Sequence, residues 1–236
     1  MSSGLRSVLR SLEARILLLM AAGAGAVWAF LAIGGEMQEG ETLGLDRRLI
    51  LMLRRPGDPA APIGPAALQT ALRDMTALGG VMFMTLLTLL AVLELLVHRK
   101  RREAVVLAVT VAVSALASNG LKALYGRPRP ELVPHGTVVN SPSFPSGHSM
   151  ISTSVYLTLA VIVARAETRT AGKLMAFGLA IFLMFAVGFS RVYLAVHWPS
   201  DVLAGWCAGS AAAMAAWAVL TFRGRTAGAP KVRGGR

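Results

Sequence analysis

The sequence predicts an all-α integral membrane protein, a bundle of six transmembrane helices with interfacial helices after the first span, and three features of its 236 residues carry that expectation. Hydrophobic residues make up 55% of the chain and charged residues only 15%, whereas soluble domains carry roughly 25% charged residues. Mean hydropathy is +0.60. The apolar residues also arrive in six long blocks that charges scarcely interrupt, the pattern of a chain whose solvent is lipid. The single cysteine, Cys207, lies inside one of these blocks. It has no partner for an intrachain disulfide and reads as a small core residue.

The spans are expected at Ile16–Ile33, Thr76–Val97, Ala104–Leu121, Ser149–Ala164, Leu174–Phe189 and Val202–Phe222. The shortest two hold 16 residues, and a bilayer core needs about 20 at 1.5 Å rise per residue. Those helices should therefore extend into their flanks. Arg6, Arg10 and Arg15 precede the first span as they would a signal peptide, but its 18-residue apolar run is longer than the roughly 7 to 15 of a signal core. A retained signal-anchor fits better. Residues 34–75 form an external cap segment. Within it Leu43–Arg55 mixes apolar side chains with Arg47, Arg48, Arg54 and Arg55, as a helix lying in the interface does. Pro56, Pro59, Pro62 and Pro65 break that helix, and a second short helix, Ala66–Asp74, leads into the second span. The segment reads as a structural cap over the bundle, with direct substrate contact as the alternative. Glu94 lies near the end of the second span, close to Arg99, and is read as snorkelling to the surface without a functional role.

With a cytoplasmic N-terminus, residues 1–15, 98–103, 165–173 and 223–236 face one side and hold 15 of the 24 Lys and Arg residues. This is the positive-inside bias. It accounts for the net charge of +12, including Arg223, Arg225, Lys231, Arg233 and Arg236, without nucleic acid as a partner. The chain is thus expected to divide into a cytoplasmic N-terminus (1–15), a membrane domain (16–222) and a basic cytoplasmic tail (223–236).

Three polar clusters fall on the opposite, external side: Lys122–Pro130 (KALYGRPRP), Pro145–His148 (PSGH) and Ser190–Asp201 (SRVYLAVHWPSD). His197 and Asp201 stand four apart and share a helix face, and Pro199 suits a first helical position, so His197 marks a helix start. The positive end of the helix dipole disfavours the imidazolium while Asp201 favours it. The balance leaves an oriented, neutral ring nitrogen suited to nucleophilic attack. A surface histidine beside a capping aspartate is the alternative. In PSGH, Gly147 lets backbone approach a ligand closely, the amides of Ser146–Ser149 open the fourth span as an anion site, and His148 suits a general acid. A plain N-cap would use the same residues. Lys122, Arg127, Arg129 and Arg191 supply cations. A phosphate monoester carries about −1.5 to −2 charges at neutral pH, and cations around it stabilise the charge of a pentavalent transition state. Gly126, Pro128 and Pro130 end the third helix. Ordinary interfacial arginines do not explain basic residues and histidines gathering on the side that the positive-inside rule disfavours.

Lys122 with Arg129-Pro130 after six intervening residues, then Pro145-Ser146-Gly147-His148, then Ser190-Arg191 with His197 after five and Asp201 after three more, make eleven positions. In order and spacing they resemble the three-part signature of the type 2 phosphatidic acid phosphatase superfamily, in its membrane branch. The resemblance runs from about residue 70 to residue 222. It implies that His197 attacks phosphorus and forms a phosphohistidine, that Asp201 holds its ring, and that His148 protonates the leaving oxygen. Lys122, Arg129 and Arg191, the hydroxyl of Ser146 and the amide of Gly147 would hold the phosphoryl oxygens. Arg127 also precedes a proline, but the spacing from Lys122 gives the motif position to Arg129 and leaves Arg127 an auxiliary contact. His135 falls outside the motifs and stays unassigned.

The implied scheme needs no cofactor and no metal. A zinc site of His148, His197, Asp201 and His135 has suitable ligand types, but the surrounding cations would repel a divalent ion. The implied partners are the bilayer and a lipid phosphate or pyrophosphate: undecaprenyl pyrophosphate, phosphatidylglycerol phosphate or phosphatidate. The Ala/Arg/Gly-rich composition points to a bacterial inner membrane, with the site facing the periplasm. A lipid phosphotransferase with the same intermediate, and a lipid-binding or transport protein without turnover, are the rival readings. The soluble vanadium haloperoxidases share the signature, but this chain is too short and too apolar to resemble them as a whole.

Overall fold

A computed structural model describes residues 3–133 and 141–222, so His135 and the basic tail lie outside the described residues. Its elements are α1 (Ser3–Gln38), α2 (Thr42–Met52), β1 (Arg54–Arg55), β2 (Asp58–Pro62), α3 (Ala66–Ala77), α4 (Val81–Val97), α5 (Arg101–Tyr125), α6 (Gly147–Ala166), α7 (Thr170–Tyr193) and α8 (Pro199–Phe222). Among the described residues five helices are long and apolar enough to cross a bilayer, α1 over Leu17–Gln38, α5, α6, α7, and α8 over Pro199–Thr221, and α3 with α4 qualify together as a bent sixth. Leu86, Leu89, Val105, Val109, Leu179 and Phe182 point outward from this bundle, as lipid-facing side chains do.

The expected second span, Thr76–Val97, is divided. Helices α3 and α4 meet at 49°, and the 17 residues of α4 alone reach about 26 Å. Gly79 and Gly80 form the joint. A Cβ on Gly79 would run into Val187 of α7 and sit 3.4 Å from the carbonyl oxygen of His148, so the backbone there presses directly on the start of α6. The Tyr156 hydroxyl donates to the Leu78 carbonyl at 2.7 Å and fixes the same joint.

Three further boundaries differ from the sequence expectation. Lys122–Tyr125 form the last turn of α5, and Gly126 closes it in the left-handed region (φ 58°), its N–H donating to the Lys122 carbonyl. Ser190–Tyr193 form the last turn of α7. In the cap, the prolines after α2 do more than break a helix: β1 and β2 form an antiparallel hairpin, where Pro59 and Pro62 are tolerated because a two-stranded ribbon is all edge.

Helix α6 is the hub and packs against α5, α7 and α8. Its buried residues include Val155, Val161 and Ile162 but also Ser149, Ser152, Thr153, Ser154 and Thr158. Ser154 donates to the Met150 carbonyl (2.9 Å) and accepts from Ser114 of α5 (2.8 Å). Small residues let α8 approach this hydroxyl-rich face. A Cβ on Gly209 would lie 2.5 Å from the Met150 carbonyl oxygen and 2.7 Å from Thr153 Cβ, and one on Gly205 would lie 2.9 Å from the Ser146 carbonyl oxygen. Gly205 and Gly209 thus make the close backbone contact of a G-x-x-x-G helix pair. That contact sets where the N-terminus of α8 stands against the N-terminus of α6.

Candidate active site

The ends of α5 and α7 and the beginnings of α6 and α8 meet at one end of the bundle, under the cap. Pro199 opens α8, so His197 and Trp198 sit just ahead of a helix start. Asp201 lies in the first turn and folds back. Its Oδ2 accepts from the Trp198 amide at 2.9 Å and lies 3.3 Å from Nδ1 of His197. Both residues are buried, Asp201 completely. With Nδ1–H turned to the carboxylate, the lone pair of Nε2 is presented on the other side of the ring. There Arg129 Nη1 stands 3.3 Å from Nε2.

Burial, followed by the positive charges of Arg191, Arg129 and Lys122, holds His197 well below the ordinary histidine value. The ring is therefore neutral. Desolvation and the neighbouring cations, more than the helix dipole, are the main causes of that neutral state.

Ser146 caps α6. Its Oγ accepts from the Ser149 amide at 3.4 Å and from the Ser149 hydroxyl at 3.0 Å, which leaves its own hydroxyl proton as a donor. Gly147 sits close to α5: a Cβ there would lie 3.2 Å from Ser118 Oγ, which would have to give way slightly, and 3.6 Å from Lys122 Cε. The Ser146 amide donates to the Asp201 carbonyl at 3.0 Å, Arg129 stands beside His197, and Lys122 comes this close to Gly147, so the three sequence clusters meet at one place. Each cation is steered by a neutral oxygen. Lys122 donates to the Pro142 carbonyl (2.6 Å), Arg129 to the carbonyls of Val196 (2.7 Å) and Ser141 (2.9 Å), and Arg191 to Thr76 Oγ1 of α3 (2.9 Å). Among the described residues none of these three has a carboxylate within ion-pair distance. Cations grouped in this way, with only the Arg127-paired Asp201 nearby to offset them, create a local field that suits an anion.

Arg127 behaves differently and is more than an auxiliary contact. It is buried, donates to Asp201 Oδ1 (2.6 Å) and Asp46 Oδ2 (2.8 Å), and lies over the Trp198 ring. Asp46, on α2 of the cap, also accepts from the Ser200 amide (2.9 Å) and the Ser200 hydroxyl. Sequence reasoning passed over Asp46, Ser200 and Thr76. A signal was present for the first, since Asp46 is the one carboxylate in the basic stretch LGLDRRLILMLRR. Glu94 pairs with His98 at 2.9 Å on an exposed helix end, remote from this site. Among the described residues no three His, Cys, Asp or Glu side chains gather as a metal site.

Fold and site together define a polytopic helical membrane protein with a cationic, histidine-bearing cluster at one end of its bundle. The PAP2 superfamily pattern matches residues 103–225, and the chain belongs to that superfamily. It is 32% identical over 143 residues to phosphatidylglycerophosphatase B of Bacillus subtilis, covering 60% of this chain and 70% of that protein. Over 123 residues it is 32% identical to an undecaprenyl-diphosphatase of Sulfolobus acidocaldarius, covering 50% and 55% respectively. Two solved folds are similar. A transmembrane PAP2-type phosphatidylglycerolphosphate phosphatase from Bacillus subtilis superposes with a TM-score of 0.72 at 24% identity over 89% of this chain and 98% of that one. Aquifex aeolicus LpxE gives 0.53 at 22% identity over 74% and 93%.

Proposed function

We propose that this protein is a metal-independent lipid phosphatase that works through a phosphohistidine on His197. The observation that carries the proposal is the orientation of His197, held through Nδ1 by Asp201 with Nε2 turned toward the Arg129 guanidinium. In the first step Nε2 forms a bond to phosphorus as the bond to the leaving oxygen breaks, and His148 delivers a proton to that oxygen. Asp201 offsets the positive charge that develops on the His197 ring. In the second step water attacks phosphorus, His148 takes its proton, and the N–P bond breaks to release phosphate. Lys122, Arg129 and Arg191, the Ser146 hydroxyl and the Gly147 amide hold the equatorial oxygens, whose charge grows in both transition states.

Undecaprenyl pyrophosphate, phosphatidylglycerol phosphate and phosphatidate are the candidate substrates, and the names of the Bacillus and Sulfolobus relatives favour the first two. The membrane domain, residues 16–222 with the cap at 34–75, works as one unit in a bacterial inner membrane. The basic segments lie in the cytoplasm and the pocket opens to the periplasm, so that acyl or prenyl chains stay in the bilayer while the head group meets the cations. The deciding experiment measures phosphate release from the three lipids in detergent with His197→Ala as the blank. Wild type releases phosphate from at least one, and the variant loses a factor of about 10³ or more. Retained turnover in His197→Ala overturns the scheme, and labelled phosphate recovered on an acceptor hydroxyl instead of in solution identifies a phosphotransferase.

A further inference from the structure

A cavity of about 370 Å³ lies between the cap and the turn that follows α7, and it shares Arg191 with the cation cluster but is not lined by His148, His197, Lys122 or Arg129. Arg54, Gln69, Arg73 and Thr76 line its cap side, and Arg191 lines the other. No carboxylate is among its lining residues. Among the described residues none of the three guanidinium groups has an acidic partner. Arg54 is only 6% exposed. Its Nη2 donates to the Tyr193 carbonyl at 2.6 Å, while its buried Nε has no hydrogen-bond partner, and the same is true of Nε of Arg191. Buried donors without acceptors are destabilising, and cations that share one cavity repel one another. An anion relieves both. The hydrolytic steps use Arg191 but leave Arg54 and Arg73 without a task, although neither is needed for positive-inside topology.

We propose that this cavity is a second anion subsite, which receives a phosphate group of the substrate other than the one transferred to His197 and so selects lipids with two phosphates over lipids with one. Arg191 touches both compartments and sets the spacing between the two phosphates. Arg54 is a fixed donor on the hairpin, and Arg73, exposed on α3, closes over the anion from the cap. The assignment of a lipid to the site rests on the phosphatase reading, whereas the anion chemistry of the cavity does not depend on turnover. Two kinds of lipid bring two phosphates, a prenyl diphosphate and a glycerolipid with a phosphodiester plus a terminal monoester. Phosphatidate brings one.

The test is calorimetric titration of the full chain in detergent with methylenediphosphonate, which is not hydrolysed, and with orthophosphate. Wild type binds the diphosphonate at least about tenfold more tightly than orthophosphate. Arg73→Gln, at an exposed position, weakens diphosphonate binding about tenfold and leaves orthophosphate within about twofold. Arg54→Gln does the same if it folds. Equal affinity of wild type for the two ligands, or an Arg73→Gln loss that is absent or shared equally by orthophosphate, overturns the subsite. Turnover of farnesyl diphosphate, phosphatidylglycerol phosphate and phosphatidate then identifies the occupant, because Arg73→Gln raises KM for the lipid whose second phosphate sits there and not for phosphatidate. A protein that binds as described but releases phosphate from none of the lipids refutes the phosphatase reading alone. Turnover that Arg73→Gln slows equally on all three refutes the subsite alone.

Discussion

Replacing Arg127 with methionine removes a cation that two buried carboxylates share. Asp46 and Asp201 are 2% and 0% exposed, and Arg127 donates to both as well as to Ser200 Oγ at 2.8 Å and Thr42 Oγ1 at 3.3 Å. Methionine keeps the stem and loses every one of those donors. Breaking a buried pair from one side costs about 3–5 kcal/mol, because the remaining charge is left uncompensated. At roughly 2–4 °C per kcal/mol for a chain of this size, the melting temperature falls by about 6–20 °C. The decisive measurement is a double-mutant cycle in detergent, followed by tryptophan fluorescence, to which Trp198 under Arg127 contributes directly. Asp46→Asn added to Arg127→Met removes one of the stranded charges, so the double variant should be more stable than the sum of the single losses by at least about 1 kcal/mol. Strict additivity, or an Arg127→Met protein that melts with wild type, refutes the view that this guanidinium locks the cap to α8.

Three other outcomes are expected. Because His197 titrates below the ordinary histidine value in the folded protein, the unfolded chain takes up a proton there first as pH falls. Folding stability is therefore full above about pH 6.5 and declines below it by up to about 1.4 kcal/mol per pH unit. Melting curves from pH 7.5 to 5.5 should show wild type losing more than His197→Asn, and parallel curves would contradict the buried neutral ring. Gly209→Ala forces α6 and α8 apart at Met150 and Thr153 and should cost about 1–3 kcal/mol together with most activity, while Gly25→Ala, whose Cβ meets nothing within 4 Å, should change neither. Chelators should leave phosphate release intact and vanadate, a mimic of pentavalent phosphorus, should inhibit it; a chelator-killed, vanadate-resistant protein would falsify the metal-independent scheme.

What could be read from the sequence was local chemistry and its polarity across the membrane. Pro199 and Ser146 mark helix starts through backbone rules that act within a few residues, so His197, Asp201 and the PSGH turn were legible, as were the blocks of lipid-facing residues. The Arg127–Asp46 pair was not, because its partners are 81 residues apart and no spacing rule links a cap helix to the end of α5. Apolar length likewise conceals a bend. Residues 76–97 are continuous in hydropathy, and the break at Gly79 and Gly80 is imposed by what α7 and α6 place against the backbone there. The hairpin was hidden because prolines end helices and also decorate exposed strand edges, and composition alone does not separate the two uses.

The α6–α8 contact has a bearing on how the chain is made. These two helices are the least apolar of the spans, and each exposes glycine or hydroxyl surface that lipid solvates poorly until the other covers it. Leaving the translocon singly is unfavourable for either, so α6 is expected to wait for α8, which emerges after α7. The two helix beginnings, joined by the Ser146 amide on the Asp201 carbonyl, would then meet only once α8 has emerged, and a product truncated before Pro199 would keep its lysine, arginines and histidines without the carboxylate that orients His197.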